Sequence, residues 1–190
     1  GCASLKTVQI PPSVTSLGMG AFYHCIALES VVIPTTLTNF NDRTFNGCRN
    51  LSAVYYLGSS CPSLGQYTFA DVSGTFGFYV KPSALSALQG ISFISDKVKD
   101  SFPYQQSSKY TTFSRSFDID FTTATGLKAY IAKESNGRTS VSLIPITTAS
   151  AGTGLIIEAV PNTVYQLRLA DNAAHYDDNA LRVSTGETSE

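Results

Sequence analysis

The residues best suited to chemistry in this 190-residue chain are four cysteines and two histidines. Cys2, Cys25 and Cys48 lie 23 residues apart, and Cys61 falls off that step. A zinc site needs closely paired ligands, and this spacing fits no zinc pattern. Three thiols on one long period read most simply as small side chains stacked in a core. A Cys48–Cys61 disulfide and a metal site are the alternatives. His24 falls between Phe22 and Cys25, where a solvent-facing turn is expected. His175 sits in the polar run Asp171–Asn179, which lacks the alternate-residue ligand spacing of a calcium loop and reads as a solvated loop.

A hydrolase triad would need a histidine beside Ser or Cys and a carboxylate. No serine here carries the flanking glycines of a nucleophile elbow. Gly152-Thr153-Gly154 is not a dinucleotide fingerprint or a phosphate loop. Asp118 and Asp120 alternate with Phe117, Ile119 and Phe121, so they share the outward face of one strand and are expected to solvate it. The expectation is a protein with no catalytic residue, no metal ligand and no cofactor: not an enzyme.

What positions these residues is a repeat. Leu5, Leu28 and Leu51 keep the same 23-residue step. So do Val8, Val31 and Val54, then Ile10, Ile33 and Tyr56, and also Phe22 and Phe45. Apolar residues at fixed offsets on a period in the low twenties signal a solenoid, whose coils bury their apolar sides only by stacking. In each coil the LxxVxI segment is a short strand ended by Pro11 or Pro34, which cannot supply a ladder N–H. Val14–Leu17 and Leu37–Phe40 then run back as a second extended segment. Gly18 and Gly20 make the turn that drops Phe22 inward.

The pattern LxxVxIPxxVTxLGxxAFxxC resembles the BspA-like leucine-rich repeat of secreted and cell-surface proteins. Leu5, Val8, Ile10, Pro11, Val14, Thr15, Leu17, Gly18, Ala21, Phe22 and Cys25 carry it. The second coil departs with Leu37 for Val, Asn41 for Gly and Thr44 for Ala, changes expected to loosen the turn while leaving the apolar columns intact. The resemblance implies adhesion or protein recognition without a small cofactor.

The third coil begins in register and then slips by one residue, which places a bulge near Ser59-Ser60-Cys61-Pro62. Phe76–Pro82 is similar to the closing coil of that family. Pro82 starts a short helix with Leu85 and Leu88 on one face, and Gly90 stops it. Ile91, Phe93, Ile94 and Val98 complete a cap. The solenoid with its cap is expected over 1–98 and a polar linker over 99–109. An antiparallel β-domain, sandwich or barrel, is expected over 110–190, where the pattern changes to period two. Asn136-Gly137 marks a hairpin, and Tyr165, Leu167 and Leu169 point inward around Gln166 and Arg168. Its string YTTFSRSFDIDF…GLKAYIA…AGTGLIIEA resembles a small β-domain that follows such repeats in exported bacterial proteins. The fold class is mainly β, with little helix.

Net charge is −1 and charged residues are only 14% of the chain, so nothing drives it toward nucleic acid or an anionic membrane. No apolar run is long enough to span a bilayer. The chain starts in mid-array, and Ser184–Glu190 ends without an obvious strand. An excised fragment is expected, with an export signal upstream and an extracellular or cell-surface location.

Binding is left to the outward positions of the first strands. Gln9, Val32 and Tyr55 form one such column, and Thr7, Ser30 and Ala53 the one beside it. Val32 and Tyr55 are apolar where the core does not need them. The expected partner is a protein, such as a host matrix component or another cell surface. Glycan, held by Tyr130 or Tyr176 in an accessory region of a larger exported enzyme, is the rival, and a spacer with no ligand is a third reading.

Overall fold

The computed structural model describes residues 2–134, 141–177 and 179–181. The chain divides into two compact units, Gly1–Ser101 and Phe102–Glu190. The first is a solenoid. Its long sheet is built from β1 (Thr7–Gln9), β3 (Ser30–Ile33), β5 (Ala53–Tyr56), β7 (Gly77–Val80) and β8 (Val98–Lys99), in that spatial order. All neighbours are parallel, with Val8 paired to Val31, Val31 to Val54, Val54 to Phe78 and Phe78 to Val98. A second parallel sheet stacks β2 (Ser16–Leu17), β4 (Asn39–Phe40) and β6 (Ser63–Leu64).

The step is 23 residues from β3 to β5 but 24 from β4 to β6, so the extra residue falls between Tyr56 and Ser63. The bulge expected there is where Tyr56, buried in the column of Ile10 and Ile33, extends beyond an isoleucine's reach. Its hydroxyl donates to the Ser60 carbonyl at 3.0 Å, and its ring lies where a Cβ on Gly58 would be.

Each coil closes through a turn segment that forms a third ladder. The amides of Gly20, Phe22 and His24 donate to the carbonyls of Asp42, Thr44 and Asn46 of the next coil. Those of Arg43, Phe45 and Gly47 donate in turn to Gln66, Thr68 and Ala70. Two residues per coil take left-handed backbone, in columns: Gly20, Arg43 and Tyr67 at φ of 61°, 56° and 57°, and His24, Gly47 and Asp71 at 55°, 76° and 52°. Left-handed backbone costs an L-residue about 1–2 kcal/mol. The non-glycine members therefore show the inter-coil hydrogen bonds fixing the turn against local preference.

The second coil's departures from the repeat are compensated rather than loosening. Thr44 is fully buried, and its hydroxyl donates to the Asn41 carbonyl at 2.6 Å. Thr68 repeats this onto Gly65 at 2.7 Å. The Asn41 side chain reaches the Leu17 carbonyl at 2.8 Å. Phe22, Phe45 and Phe69 stack face to face along the core, and Phe76 closes the pile.

The helix α1 (Pro82–Gln89) begins at proline and buries Ala84 and Leu88, while Leu85 is only half-buried. Ile94 and Val98 plug the core. Phe93, expected among them, stays half exposed.

The stretch 99–109, expected to be a linker, is structured. It contains β9 (Ser101–Tyr104), and Gln106 is buried, accepting from the Tyr104 hydroxyl at 2.6 Å and donating to Ser108 and Lys109 carbonyls. A polar glutamine disguised this contact, because its burial depends on partners that sequence alone does not show.

The second unit is a β-sandwich. One sheet orders β10 (Tyr110–Phe113), β15 (Leu155–Glu158), β12 (Lys128–Glu134) and β13 (Val141–Ile146). The other orders β14 (Thr148–Ala149), β11 (Ile119–Asp120), β16 (Tyr165–Leu169) and β9. Phe102, Phe113, Phe117, Phe121, Leu155, Ile157 and Leu167 form its core, with edge-to-face rings such as Tyr104 on Phe113. Tyr165, Leu167 and Leu169 point inward as expected. The Asn136-Gly137 turn and Ser184–Glu190 lie outside the described residues; β12 and β13 pair antiparallel on either side of the former.

Candidate functional site

The outward face of the solenoid's long sheet is set by strand alternation. Val31, Ile33, Val54 and Tyr56 are buried, so Ser30, Val32, Ala53 and Tyr55 point away from the core. Parallel pairing without register shift brings the expected residues together. Gln9 lies beside Val32 and Val32 beside Tyr55, while Thr7, Ser30 and Ala53 form the neighbouring row. Thr7 and Gln9 are exposed, and the other four are half-buried.

The column continues past the residues expected from the repeat. Tyr79 pairs with Tyr55 and Lys99 with Tyr79. The Tyr55 and Tyr79 rings stack with centroids 5.3 Å apart, and burial pushes the Tyr79 phenol above its usual range. The small row makes room for this: Thr7, Ser30 and Ala53 lead to Gly77, where a Cβ would overlap the Tyr79 ring. The 24-residue step from Ala53-Val54-Tyr55-Tyr56 to Gly77-Phe78-Tyr79-Val80 was the signal that could have revealed Tyr79.

The cysteines are not bridged. Cys25 and Cys48 are buried, while Cys2 and Cys61 are exposed and free. The Cys48 thiol donates to the Phe22 carbonyl at 3.0 Å, and the Cys2 amide meets the Cys25 sulfur at 3.3 Å. Cys25 and Cys48 are thus stacked in the core as expected, while Cys2, the third member of the column, is exposed at its end. Among the described residues, no group of three or more His, Cys, Asp or Glu could hold a metal.

His24 lies in the exposed turn, and its ring covers Gly47 of the next coil. His175 is more interesting. Its Nδ1 lies 3.1 Å from Ser150 Oγ and its Nε2 2.9 Å from Asp177. Serine, histidine and aspartate thus meet, but with the ring nitrogens exchanged, since a hydrolase triad sets Nε2 on the serine and Nδ1 on the carboxylate. The surroundings differ from those a nucleophile needs. The ring is 74% exposed and the carboxylate 91%, so water competes for both, and Ser150 Oγ also meets Thr153 Oγ1 at 3.1 Å. Nearby amides that an oxyanion would require are already donating, Ala151 to Asp118, Gly152 to Arg115 and Thr153 to Ser150.

Asp118 and Asp120 do more than solvate their strand. Asp118 accepts from the Ala151 amide at 2.9 Å and Asp120 from Thr122 at 2.8 Å, so each carboxylate fixes a turn.

On the sandwich, Glu158 accepts from the Tyr130 hydroxyl at 2.9 Å and lies 3.5 Å from Lys109 and 3.9 Å from Lys128. The Tyr130 bond, then the lysines, hold its carboxyl below the usual range. The Tyr176 hydroxyl donates to the Thr148 carbonyl at 3.2 Å.

A family model described as "BspA type Leucine rich repeat region (6 copies)" matches residues 1–116, reaching beyond Ser101, where the solenoid unit ends. No curated protein and no solved structure matches the chain. Among the described residues, no helix is long and apolar enough to cross a membrane.

Proposed function

The chain belongs to the BspA-type leucine-rich-repeat family, and from that premise we propose that it is a non-enzymatic, exported binding module that recognises proteins at the cell surface. One observation supports this reading above the rest. The outward columns of five parallel strands keep register from Thr7 and Gln9 through to Lys99, giving a continuous ladder of side chains that the core does not use. Repeat solenoids present partners with such extended faces. Aromatic side chains supply contact energy at protein interfaces, and Tyr55 and Tyr79 bring two to this one.

Thr7, Gln9, Ser30 and Val32 form the proposed contact patch, with Ala53 and Tyr55 continuing it. The test is surface binding of the 190-residue chain to immobilised extracellular matrix proteins, with a glycan array run in parallel. Protein binding that falls at least tenfold in a Gln9→Arg/Val32→Lys variant supports the reading. Binding to glycans alone, abolished by Tyr176→Ala, overturns it in favour of a carbohydrate-holding accessory region.

A further inference from the structure

The two sides of the solenoid end differently. The long sheet continues beyond the third coil through β7 and β8, whereas β6 is the last strand of the short sheet. The turn ladder stops there as well. In the first two coils every alternate turn amide donates forward to the next coil. The equivalent amides of the third coil are those of Tyr67, Phe69 and Asp71, and among the described residues nothing accepts from them. The Leu64 carbonyl, equivalent to those of Leu17 and Phe40 that accept from Asn41 and Gly65, is likewise without a donor. Phe76 closes the aromatic stack at this point, so the core is sealed while the backbone rung stays open.

That rung borders a groove of about 1040 Å³ whose far wall is the cap, with Phe93, Ile94 and Lys97. Tyr67 and Phe93 are 58% and 50% exposed, although both are large aromatics. Open donors at regular spacing beside exposed aromatic surface can be met by the carbonyls of another polypeptide, as the Gln66, Thr68 and Ala70 carbonyls meet the turn of the second coil.

We propose that this groove binds a segment of a partner polypeptide folded into the same turn as Leu64–Asp71, which adds one more rung to the turn ladder. The segment runs parallel to Leu64–Asp71, donates an amide to the Leu64 carbonyl and presents three alternate carbonyls to Tyr67, Phe69 and Asp71. An apolar side chain between those carbonyls packs on Phe93. An anion fits less well. Lys97 is paired with Asp96 at 3.1 Å, Lys99 donates to the Asp96 carbonyl, and the Asp71 and Asp96 carboxylates themselves line the groove. Apart from Lys99, the groove shares no residue with the outward columns, and it does not depend on their role.

The chain supplies its own probe. Residues 64–72, LGQYTFADV, already offer the Gln66, Thr68 and Ala70 carbonyls to the second coil. The capped nonapeptide is titrated into the isotope-labelled 190-residue chain and followed by amide shifts and hydrogen exchange. The free chain is expected to show fast exchange at Tyr67, Phe69 and Asp71 against slow exchange at Arg43, Phe45 and Gly47. The peptide should then slow the first three saturably, and Phe93→Ser should weaken its binding at least tenfold. A control with those three peptide carbonyls reduced to methylenes should not bind. The proposal is overturned if the three amides are protected in the free chain, whether by this chain or by a second copy at higher concentration. It is equally overturned if the control binds as well as the peptide, or if millimolar peptide leaves these amides unshifted.

Discussion

The ring of Phe45 lies parallel to that of Phe69, with centroids 5.6 Å apart and planes 4° from parallel, and Phe22 repeats the arrangement on the other side at 5.1 Å. Phe45 is fully buried between two coils, so its truncation removes contacts to both. Phe45→Ala should cost about 3–5 kcal/mol, as for large aromatic truncations in close-packed cores. Phe22→Ala, at the half-buried end of the pile, should cost less. Urea unfolding of both variants checks the order, and an equal cost at the two sites would mean that the stack is not cooperative across coils.

Thr44 replaces the alanine of the first coil and turns a small apolar position into a hydrogen-bonded one. Its hydroxyl donates to the Asn41 carbonyl at 2.6 Å, which the Thr68 hydroxyl reaches only at 3.5 Å. Thr44→Val keeps the shape and removes that donor, so a destabilisation of about 0.5–1.5 kcal/mol is expected. A neutral result in thermal unfolding would show that the Thr68 hydroxyl, now 3.5 Å away, takes over the Asn41 carbonyl.

The solenoid was legible because its information is periodic. Leu5, Leu28 and Leu51 mark the stacking direction without any knowledge of contacts, and Leu28 and Leu51 are fully buried. The outward columns follow from the same period, since in-register parallel strands place equivalent residues side by side. What escaped were features that depend on partners rather than on residue type. Gln106 reads as linker until the Tyr104 hydroxyl meets it. Asp118 reads as solvated surface until the Ala151 amide turns toward it. Phe93 reads as core by its hydrophobicity, yet Ile94 takes the buried position beside it. The open amides of Tyr67, Phe69 and Asp71 belong to backbone, about which side-chain identity is silent.

Gly58 and Tyr56 form a coupled pair. Any side chain at Gly58 meets the buried Tyr56 ring, which cannot swing away because its hydroxyl is held by Ser60. Gly58→Ala should therefore cost about 1–3 kcal/mol, the usual range for overpacking. In a Tyr56→Ile background, which restores the isoleucine of the first two coils, the same substitution should be nearly neutral. The double-mutant cycle should show a coupling of at least about 1 kcal/mol. Additivity would mean that the alanine is accommodated by backbone movement instead.

Cys48 makes the solenoid sensitive to alkaline pH. Burial pushes its thiol up to about 11 from an ordinary 9.0. The folded chain thus holds the protonated form where the unfolded chain would ionise. The associated stability is fully present below pH 9 and is lost as pH rises toward 11. That rise corresponds to at most about 3 kcal/mol for this one group. Val72, 24 residues after Cys48, follows Asp71 as Cys48 follows Gly47 and packs against the same core, so Cys48→Val should keep the fold. Burial also raises the Tyr56, Tyr79 and Tyr104 phenols, and these titrate in both proteins. The difference between the two chains therefore isolates the thiol. Urea midpoints measured at pH 8 and pH 10.5 should fall more steeply for the parent chain than for Cys48→Val. Parallel slopes would mean that the Cys48 sulfur reaches water, and that the inter-coil packing around it is looser than its full burial implies.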